Sequence, residues 1–171
     1  MKTKKLVLLA LFSAIALTIW AAEALIPPPV PLPGVRLGLA NIVLLLTLYL
    51  YGRRETALVL AVRLILGAAL AGTVMSFLYS LAGGLLAYAV MALLRPRVKK
   101  KHIWMLRAYA AVAHNVGQIL AARLILAAPG LWAYLPVLLL SGLVTGLFTG
   151  LCARFALPPL GKVLGRDGEE K

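Results

Sequence analysis

The sequence has few acidic residues, a single cysteine and few charges of any kind. Five Asp and Glu residues stand against 18 Lys and Arg, giving a formal net charge of +13, yet only 13% of the 171 residues are charged and 63% are hydrophobic. Soluble domains contain about a quarter charged residues, so this chain cannot cover a water-facing surface. Disordered chains lack apolar residues, which excludes disorder. The composition fits one membrane domain of about six spans of about 20 residues.

The scarcity of cysteine and acid excludes several kinds of site. Cys152 lies in an apolar run and has no partner for an internal disulfide. The acids are Glu23, Glu55 and three residues of the tail, so no aspartate cluster is present to hold magnesium for diphosphate chemistry. Zinc-ligand spacing and a nucleotide-binding loop are also missing from the sequence. We therefore expect no enzyme activity, metal or cofactor, and any ATP hydrolysis must occur on another subunit.

Six apolar stretches predict six transmembrane helices. They lie at 6–26, 37–51, 56–70, 74–94, 108–128 and 135–157. Four contain 21 to 23 residues and can cross a bilayer, whereas the second and third have 15 and are short, tilted or extended by their flanks. The first is longer than a signal-peptide core of about 7–15 residues and is interpreted as a retained span. The predicted fold class is an all-α integral membrane protein, a six-helix bundle in one domain, 1–171, with a tail at 158–171.

Basic residues are concentrated on one side of this six-span arrangement. Fifteen of the 18 lie at the N-terminus and in 53–54, 95–107 and 154–171, which would all face the same side. The positive-inside rule therefore places both termini in the cytoplasm of a prokaryotic-type cytoplasmic membrane that the chain crosses several times. This topology signal accounts for the basic loop at 95–107, so no nucleic-acid partner is expected, while contact with anionic membrane lipid stays open.

Three arginines, Arg36, Arg63 and Arg123, fall outside that pattern. An arginine at mid-membrane costs about 2.5–3.5 kcal/mol and usually faces a protein interior or a water-filled cavity. Guanidinium groups bind carboxylate or phosphate through paired hydrogen bonds. We therefore predict a binding site for a small, anionic or amphipathic substrate, formed by Glu23, Arg36, Asn41, Arg63, Gln118 and Arg123. The alternative is that Glu23 pairs with one arginine and the others extend to the interface.

The fifth stretch carries further polar residues. His114 and Gln118 are four residues apart and share a helix face, whereas Arg123 lies about half a turn away from that face. His114 and its neighbour Asn115 are candidates for a polar relay. A hydrogen bond between helices is the more ordinary role of such residues in membranes.

Four segments resemble a known family. They are 31–52 (PLPGVRLGLANIVLLLTLYLYG), 76–94 (SFLYSLAGGLLAYAVMALL), 111–126 (AVAHNVGQILAARLIL) and 134–150 (YLPVLLLSGLVTGLFTG). They resemble the Gx transporter family, which also carries the name heptaprenyl diphosphate synthase component I, over nearly the whole chain. The arrangement is further similar to the substrate-binding S components of energy-coupling factor (ECF) transporters, six-helix proteins that bind vitamins or related molecules near the outer face.

The resemblance implies a subunit that binds a vitamin, a flavin or an isoprenoid- or quinone-related molecule for uptake. ATP hydrolysis would then come from ECF-type transmembrane and ATPase subunits. Small residues at four-residue spacing on the first helix dock the coupling subunit in S components, and Ala10 and Ala14 match them here. The synthase name instead implies a non-catalytic accessory subunit of heptaprenyl diphosphate synthase or of a membrane redox or quinone system. Both hypotheses stay open, as does a solitary proton-coupled carrier that uses Glu23 or His114.

Overall fold

The computed structural model describes residues 3–23, 25–27, 36–127 and 129–165. Within these ranges the chain forms six α-helices, three short 3-10 helices and no β-strand. The α-helices are α1 (Thr3–Glu23), α2 (Asn41–Leu50), α3 (Arg53–Ala71), α4 (Val74–Leu94), α5 (Ile103–Leu126) and α6 (Leu135–Val163). The all-α fold predicted from the sequence is confirmed for this part of the chain. The proline-rich stretch up to residue 35 and the tail from residue 166 lie outside the described residues.

The helices differ from the predicted stretches mainly at their ends. α4 coincides with 74–94, whereas α5 begins five residues before its predicted stretch and α6 continues through Pro158 and Pro159 to Val163. α2 is shorter than its stretch and begins only at Asn41. The early start of α5 moves Arg107 out of the predicted basic loop and into a helix.

In the described parts of the chain, three segments are long and apolar enough to cross a membrane. They are Thr3–Glu23, Val74–Arg97 and Gly130–Val163. Large apolar side chains are also exposed on the outside of the bundle, among them Leu124 and Phe155, which are 83% and 74% exposed. Exposed apolar surface on this scale is typical of a face that meets lipid or another protein. These are the features of a membrane protein.

α2 lies at the centre of the bundle. Nine of its ten residues are buried, and seven of them join one apolar cluster with residues of the other five α-helices. A helix that is apolar on all sides is expected to be buried. Ten residues span about 15 Å, half of the hydrocarbon thickness of about 30 Å. The described part of α2 therefore serves as a core helix around which the longer helices pack.

α5 packs closely on α6 through glycines. A Cβ atom added at Gly142, Gly146 or Gly150 would come within 2.5–2.7 Å of an α5 atom. Such contacts are shorter than van der Waals separation, so only glycine permits this helix approach. The glycine stripe of α6 is thus used for packing inside the bundle.

Side-chain contacts define the two ends of the bundle. Lys5 forms an ion pair with Glu55, and the Tyr88 hydroxyl donates to the carbonyl oxygen of Arg53 at 3.1 Å. The start of α1, the start of α3 and the end of α4 therefore lie together. We call this the basic end, because it carries residues 3–5, 53–54 and 95–102. The opposite end, called the Glu23 end, carries Glu23 and residues 25–27, 36–40, 71–74, 123–127 and 129–134.

Candidate functional site

Glu23, the last residue of α1, is a buried carboxylate at the Glu23 end. It is 4% exposed and accepts hydrogen bonds from the backbone N–H groups of Gly38 (2.6 Å) and Leu39 (3.0 Å). Gly38 has φ +79°, and a Cβ there would lie 2.8 Å from the His114 ring. Glycine is therefore required both by the backbone conformation and by the close contact. The segment 36–40 is held against the bundle in this way.

Arg107 holds the same backbone segment from the other side. Its side chain is fully buried, and its Nη2 donates to the carbonyl oxygen of Gly38 at 2.8 Å. Its Nε and Nη1 have no hydrogen-bond partner among the described residues. The prediction that Arg107 belongs to the basic loop is wrong, and it arose because the charged run 95–101 lies shortly before this residue in the sequence. The helical period gives the missed signal, since Arg107 lies seven residues before His114 and thus on the same face.

Gln118 and Asn41 bind the two nitrogens of the buried His114 ring. Asn41 Nδ2 lies 3.2 Å from His114 Nδ1. We orient the Gln118 amide so that its oxygen accepts from His114 Nε2 (3.1 Å) and its nitrogen donates to the carbonyl oxygen of Arg36 (2.9 Å), since this orientation satisfies both groups. In this arrangement both ring nitrogens of His114 have a side-chain partner. The ring thereby connects α2 with α5 and with the 36–40 segment.

Close packing further restricts His114. A Cβ added at Gly83 of α4 would lie 2.8 Å from the imidazole ring. A Cβ added at Gly117, on the α5 turn beyond His114, would likewise lie 2.7 Å from the backbone carbonyl oxygen of Ala82 in α4. The imidazole therefore has no room to move between α4 and the 36–40 segment while the helices keep these positions.

Arg36 packs on Trp20 of α1. Its guanidinium carbon lies 4.0 Å from the ring centroid, and its Nη1 donates to the carbonyl oxygen of Trp20 at 2.6 Å. This is a cation–π contact joined to a charge-assisted hydrogen bond. Partial burial lowers the pKa of Arg36 from its ordinary value, and the neighbouring Glu23 carboxylate opposes that change. Arg36 stays cationic in this position.

Arg63 lies at a crevice between α1, α3 and α4. It is 2% exposed, and its Nη1 has no partner in the described part of the chain. Ser76, at the start of α4, is 5% exposed, and its hydroxyl is likewise unpartnered there. Both residues line the crevice together with Trp20, Gly67 and Ser80. We call this feature the Arg63 crevice. In this conformation its walls leave no room for a water-sized sphere.

Positive charge exceeds negative charge around this site. Arg36, Arg63 and Arg107 all interact electrostatically with Glu23, the one acid that is buried among the described residues. One carboxylate cannot neutralise three guanidinium groups, and buried charges normally have partners. The arrangement is therefore suited to receive an anion.

Arg123 is placed apart from these residues. It is exposed near the end of α5, and its guanidinium carbon lies 5.3 Å from the Trp132 ring centroid. The structure thus brings together five of the six residues predicted to bind substrate, and it adds Arg107. Their role in binding stays a prediction.

The two residues predicted as a polar relay have separate environments. The Asn115 amide donates to the carbonyl oxygen of Leu138 in α6, on another face of α5 from His114. His114 has its hydrogen bonds with Asn41 and Gln118. These hydrogen bonds therefore do not connect His114 directly with Asn115, as the predicted relay would require.

The residues predicted to dock a partner lie on the outside of α1. Ala10 and Ala14 are exposed, between the exposed Val7, Leu11 and Ile15. This is a flat apolar face on which another helix or lipid can pack. Docking there also stays a prediction.

Among the described residues, no three His, Cys, Asp or Glu side chains lie close enough together to hold a metal ion. Cys152 is exposed on α6.

Comparison with known proteins identifies one family. No curated protein and no solved structure matches the chain. Residues 12–156 match the family described as heptaprenyl diphosphate synthase component I. The family description names one component of a synthase, which implies a partner component. It states no catalytic activity for component I itself. The match covers most of the chain, including every residue of the site described above, and the chain therefore belongs to the heptaprenyl diphosphate synthase component I family.

Proposed function

We propose that the chain is a membrane-embedded subunit that binds a small anionic or amphipathic molecule for uptake. The ligand enters the site from the Glu23 end, and ATP hydrolysis takes place on partner subunits. The chain is not an enzyme in this proposal. The ligand belongs to the class of vitamins, flavins or isoprenoid- and quinone-related molecules.

The chain crosses the membrane six times in this proposal, with both termini in the cytoplasm. The exposed apolar side chains on the outside of the bundle support it, as does the clustering of basic residues at one end. The basic end then faces the cytoplasm, and the Glu23 end faces outward. α2 and the segment before it complete the second crossing from within the bundle.

One observation carries the binding proposal: guanidinium nitrogens of Arg63 and Arg107 are buried without a hydrogen-bond partner in the part of the chain that the structure describes. A charged side chain deep in a membrane protein costs about 2.5–3.5 kcal/mol on insertion scales unless other groups offset it. An anionic ligand offsets that cost directly. Glu23, Arg36, Asn41 and Gln118 position the backbone segment beside these arginines. Arg123 lies outside the site in this proposal.

The test is to identify and quantify the small molecules that copurify with the protein from its native membrane. Mass spectrometry of extracts should find an anionic molecule bound to wild type and missing from Arg63→Ala. Arg123→Ala is the matched control, because it removes the same side chain from an exposed position outside the site. Equal ligand content in the two variants, or none in wild type, would contradict the proposal.

A second function is favoured by the family match itself. As a component I, the chain would be a non-catalytic accessory subunit of a heptaprenyl diphosphate synthase or of a membrane redox or quinone system. Its basic end would then dock the soluble subunit. Affinity purification that recovers a prenyl synthase or redox subunit, and loses it when the lysines at 99–101 become glutamate, supports this function. Recovery of an ATPase pair with a transmembrane coupling subunit supports the uptake function instead.

A further inference from the structure

A groove of about 260 Å³ runs along the outside of the bundle between α3 and α4. Apolar side chains form it, among them Ala57, Ala61 and Leu64 of α3 and Phe77, Leu85 and Tyr88 of α4. Ala57 and Ala61 are one helical turn apart, and their small side chains leave a depression there. The groove opens to the surroundings, since Ala61 and Leu85 are exposed. We call it the α3–α4 groove.

The α3–α4 groove meets the Arg63 crevice. Leu64 and Phe77 line both features, so the apolar groove has a polar, cationic end. From there the groove extends toward the basic end as far as Ala57 and Tyr88. Seven residues of α3 and eleven of α4 separate these limits, which corresponds to about 10–16 Å at 1.5 Å per residue. Together, the α3–α4 groove and the Arg63 crevice form an apolar surface groove that ends next to a buried positive charge.

The polar end offers two groups on different helices that have no hydrogen-bond partner among the described residues. Arg63 Nη1 supplies a charged donor, and the Ser76 hydroxyl lies in the first turn of α4, where the helix N-terminus favours negative charge. Both side chains are more than nine-tenths buried. A buried polar group without a hydrogen bond destabilises the fold. Packing inside the bundle therefore gives no reason for burying these two groups, whereas a bound anion does.

We propose that the ligand is an amphiphile whose anionic head, a phosphate or carboxylate, binds Arg63 and Ser76 while a single long apolar tail lies in the α3–α4 groove. This inference rests on the proposed binding function and names the ligand class for the same site. Ordinary lipid contact explains an apolar groove alone, but it does not explain a cationic end. The head reaches Arg63 after the side chain of Trp20 or Phe77 moves aside. The same chemistry belongs to prenyl phosphates and to anionic phospholipids.

Binding of defined probes to the purified full-length protein tests the inference. We expect geranylgeranyl phosphate to bind, and its affinity to exceed those of inorganic phosphate and of neutral geranylgeraniol by about tenfold or more, a factor equivalent to about 1.4 kcal/mol. The affinity should rise from geranyl to farnesyl phosphate, because the added isoprene unit buries more apolar surface. It should level off at geranylgeranyl phosphate, because about three isoprene units already fill a groove of about 10–16 Å. This series needs no variant and is independent of any effect on folding.

Two substitutions separate the tail from the head. Ala61→Trp fills the groove and should weaken geranylgeranyl phosphate binding about tenfold or more, while Arg63→Ala should weaken the phosphate but not the alcohol. Val144→Trp, at an exposed position of α6 away from both features, is the matched control and should bind like wild type.

The outcomes separate the ligand class from the proposed function. Inorganic phosphate that binds as tightly as geranylgeranyl phosphate would overturn the amphiphile inference and leave a binder of small anions. Failure of every anionic amphiphile to bind would overturn it as well, whereas the copurification measurement decides the proposed function separately. Lysophosphatidylglycerol has one acyl tail, so its binding more tightly than geranylgeranyl phosphate would support the inference and assign the bilayer as the source of the ligand. Tighter binding of the two-tailed dioleoyl phosphatidylglycerol than of either probe would overturn the single-tail inference.

Discussion

Replacing Glu23 with glutamine should destabilise the protein much more than the same change at an ordinary acid. Glutamine has nearly the same shape but carries no charge, and it presents an N–H group where one carboxylate oxygen stood. In the structure the two oxygens accept from the backbone N–H groups of Gly38 and Leu39. The substitution therefore leaves one of these donors facing another donor, and it removes the anion that lies among three guanidinium groups.

The magnitude follows from the contacts of Glu23. A hydrogen bond to a charged group contributes about 1.5–3 kcal/mol, and glutamine can keep only one of the two. Removing one partner from a buried set of charges costs about 3–5 kcal/mol. We expect a loss of about 3–5 kcal/mol in the free energy of unfolding, since these two terms describe overlapping interactions. For a chain of this length each kcal/mol corresponds to about 2–4 °C in Tm, so the Tm should fall by about 6 °C or more.

Thermal unfolding of the purified protein in one detergent measures this effect. Glu55→Gln is the matched control, because Glu55 forms its ion pair with Lys5 at the basic end, where both side chains are partly exposed. An exposed ion pair contributes about 0–1 kcal/mol, so this control should shift the Tm by less than about 4 °C. If Glu23→Gln lowers the Tm no more than Glu55→Gln does, Glu23 does not hold the 36–40 segment and the account of the site is wrong.

Three further predictions concern packing and docking. Gly38→Ala should lower the free energy of unfolding by about 2–4 kcal/mol, because it adds backbone strain and overpacks the buried imidazole. Gly130→Ala is the control: its added Cβ meets no atom within 4 Å, so the unfolding curve should not change. Gly146→Val should lower the Tm by several degrees because a Cβ there already lies 2.7 Å from an α5 side chain, and an unchanged Tm would argue against the close α5–α6 contact. Ala14→Trp on the exposed face of α1 should abolish copurification of a coupling subunit without changing the Tm. Val144→Trp, at an exposed position of α6, should leave that copurification intact. Equal recovery of the coupling subunit with both variants would exclude docking at Ala14.

The general position of the site could be predicted from the sequence, because it depends on charges that a membrane segment does not tolerate without reason. Arg63 lies in the middle of an apolar stretch, and the structure buries it where it interacts electrostatically with Glu23 and Arg36, two of the residues expected near it. Arg123 also lies in an apolar stretch, and it was therefore expected to be buried as well. It lies near the end of α5, however, from where its long side chain reaches the surface and packs on Trp132. The helical period also places Arg123 about half a turn from the face of His114 and Gln118, so its separation from the site was within reach of the sequence.

The long-range contacts could not be predicted. Gly38 and Gly83 contact opposite sides of the His114 ring, although they are far from it in the sequence. Such contacts depend on how three elements pack in space, and periodicity within one helix does not report that arrangement. Arg107 was missed for a different reason, since a charge next to a basic loop has the same local appearance as a loop residue.

An experimental density map of the protein purified with its native ligand tests the central claim most directly. We predict density for an anionic group within hydrogen-bonding distance of Arg63 Nη1 and the Ser76 hydroxyl. A map in which Arg63 pairs with a group of this chain, and in which no bound molecule lies in the crevice, would contradict the claim that these arginines hold an anion.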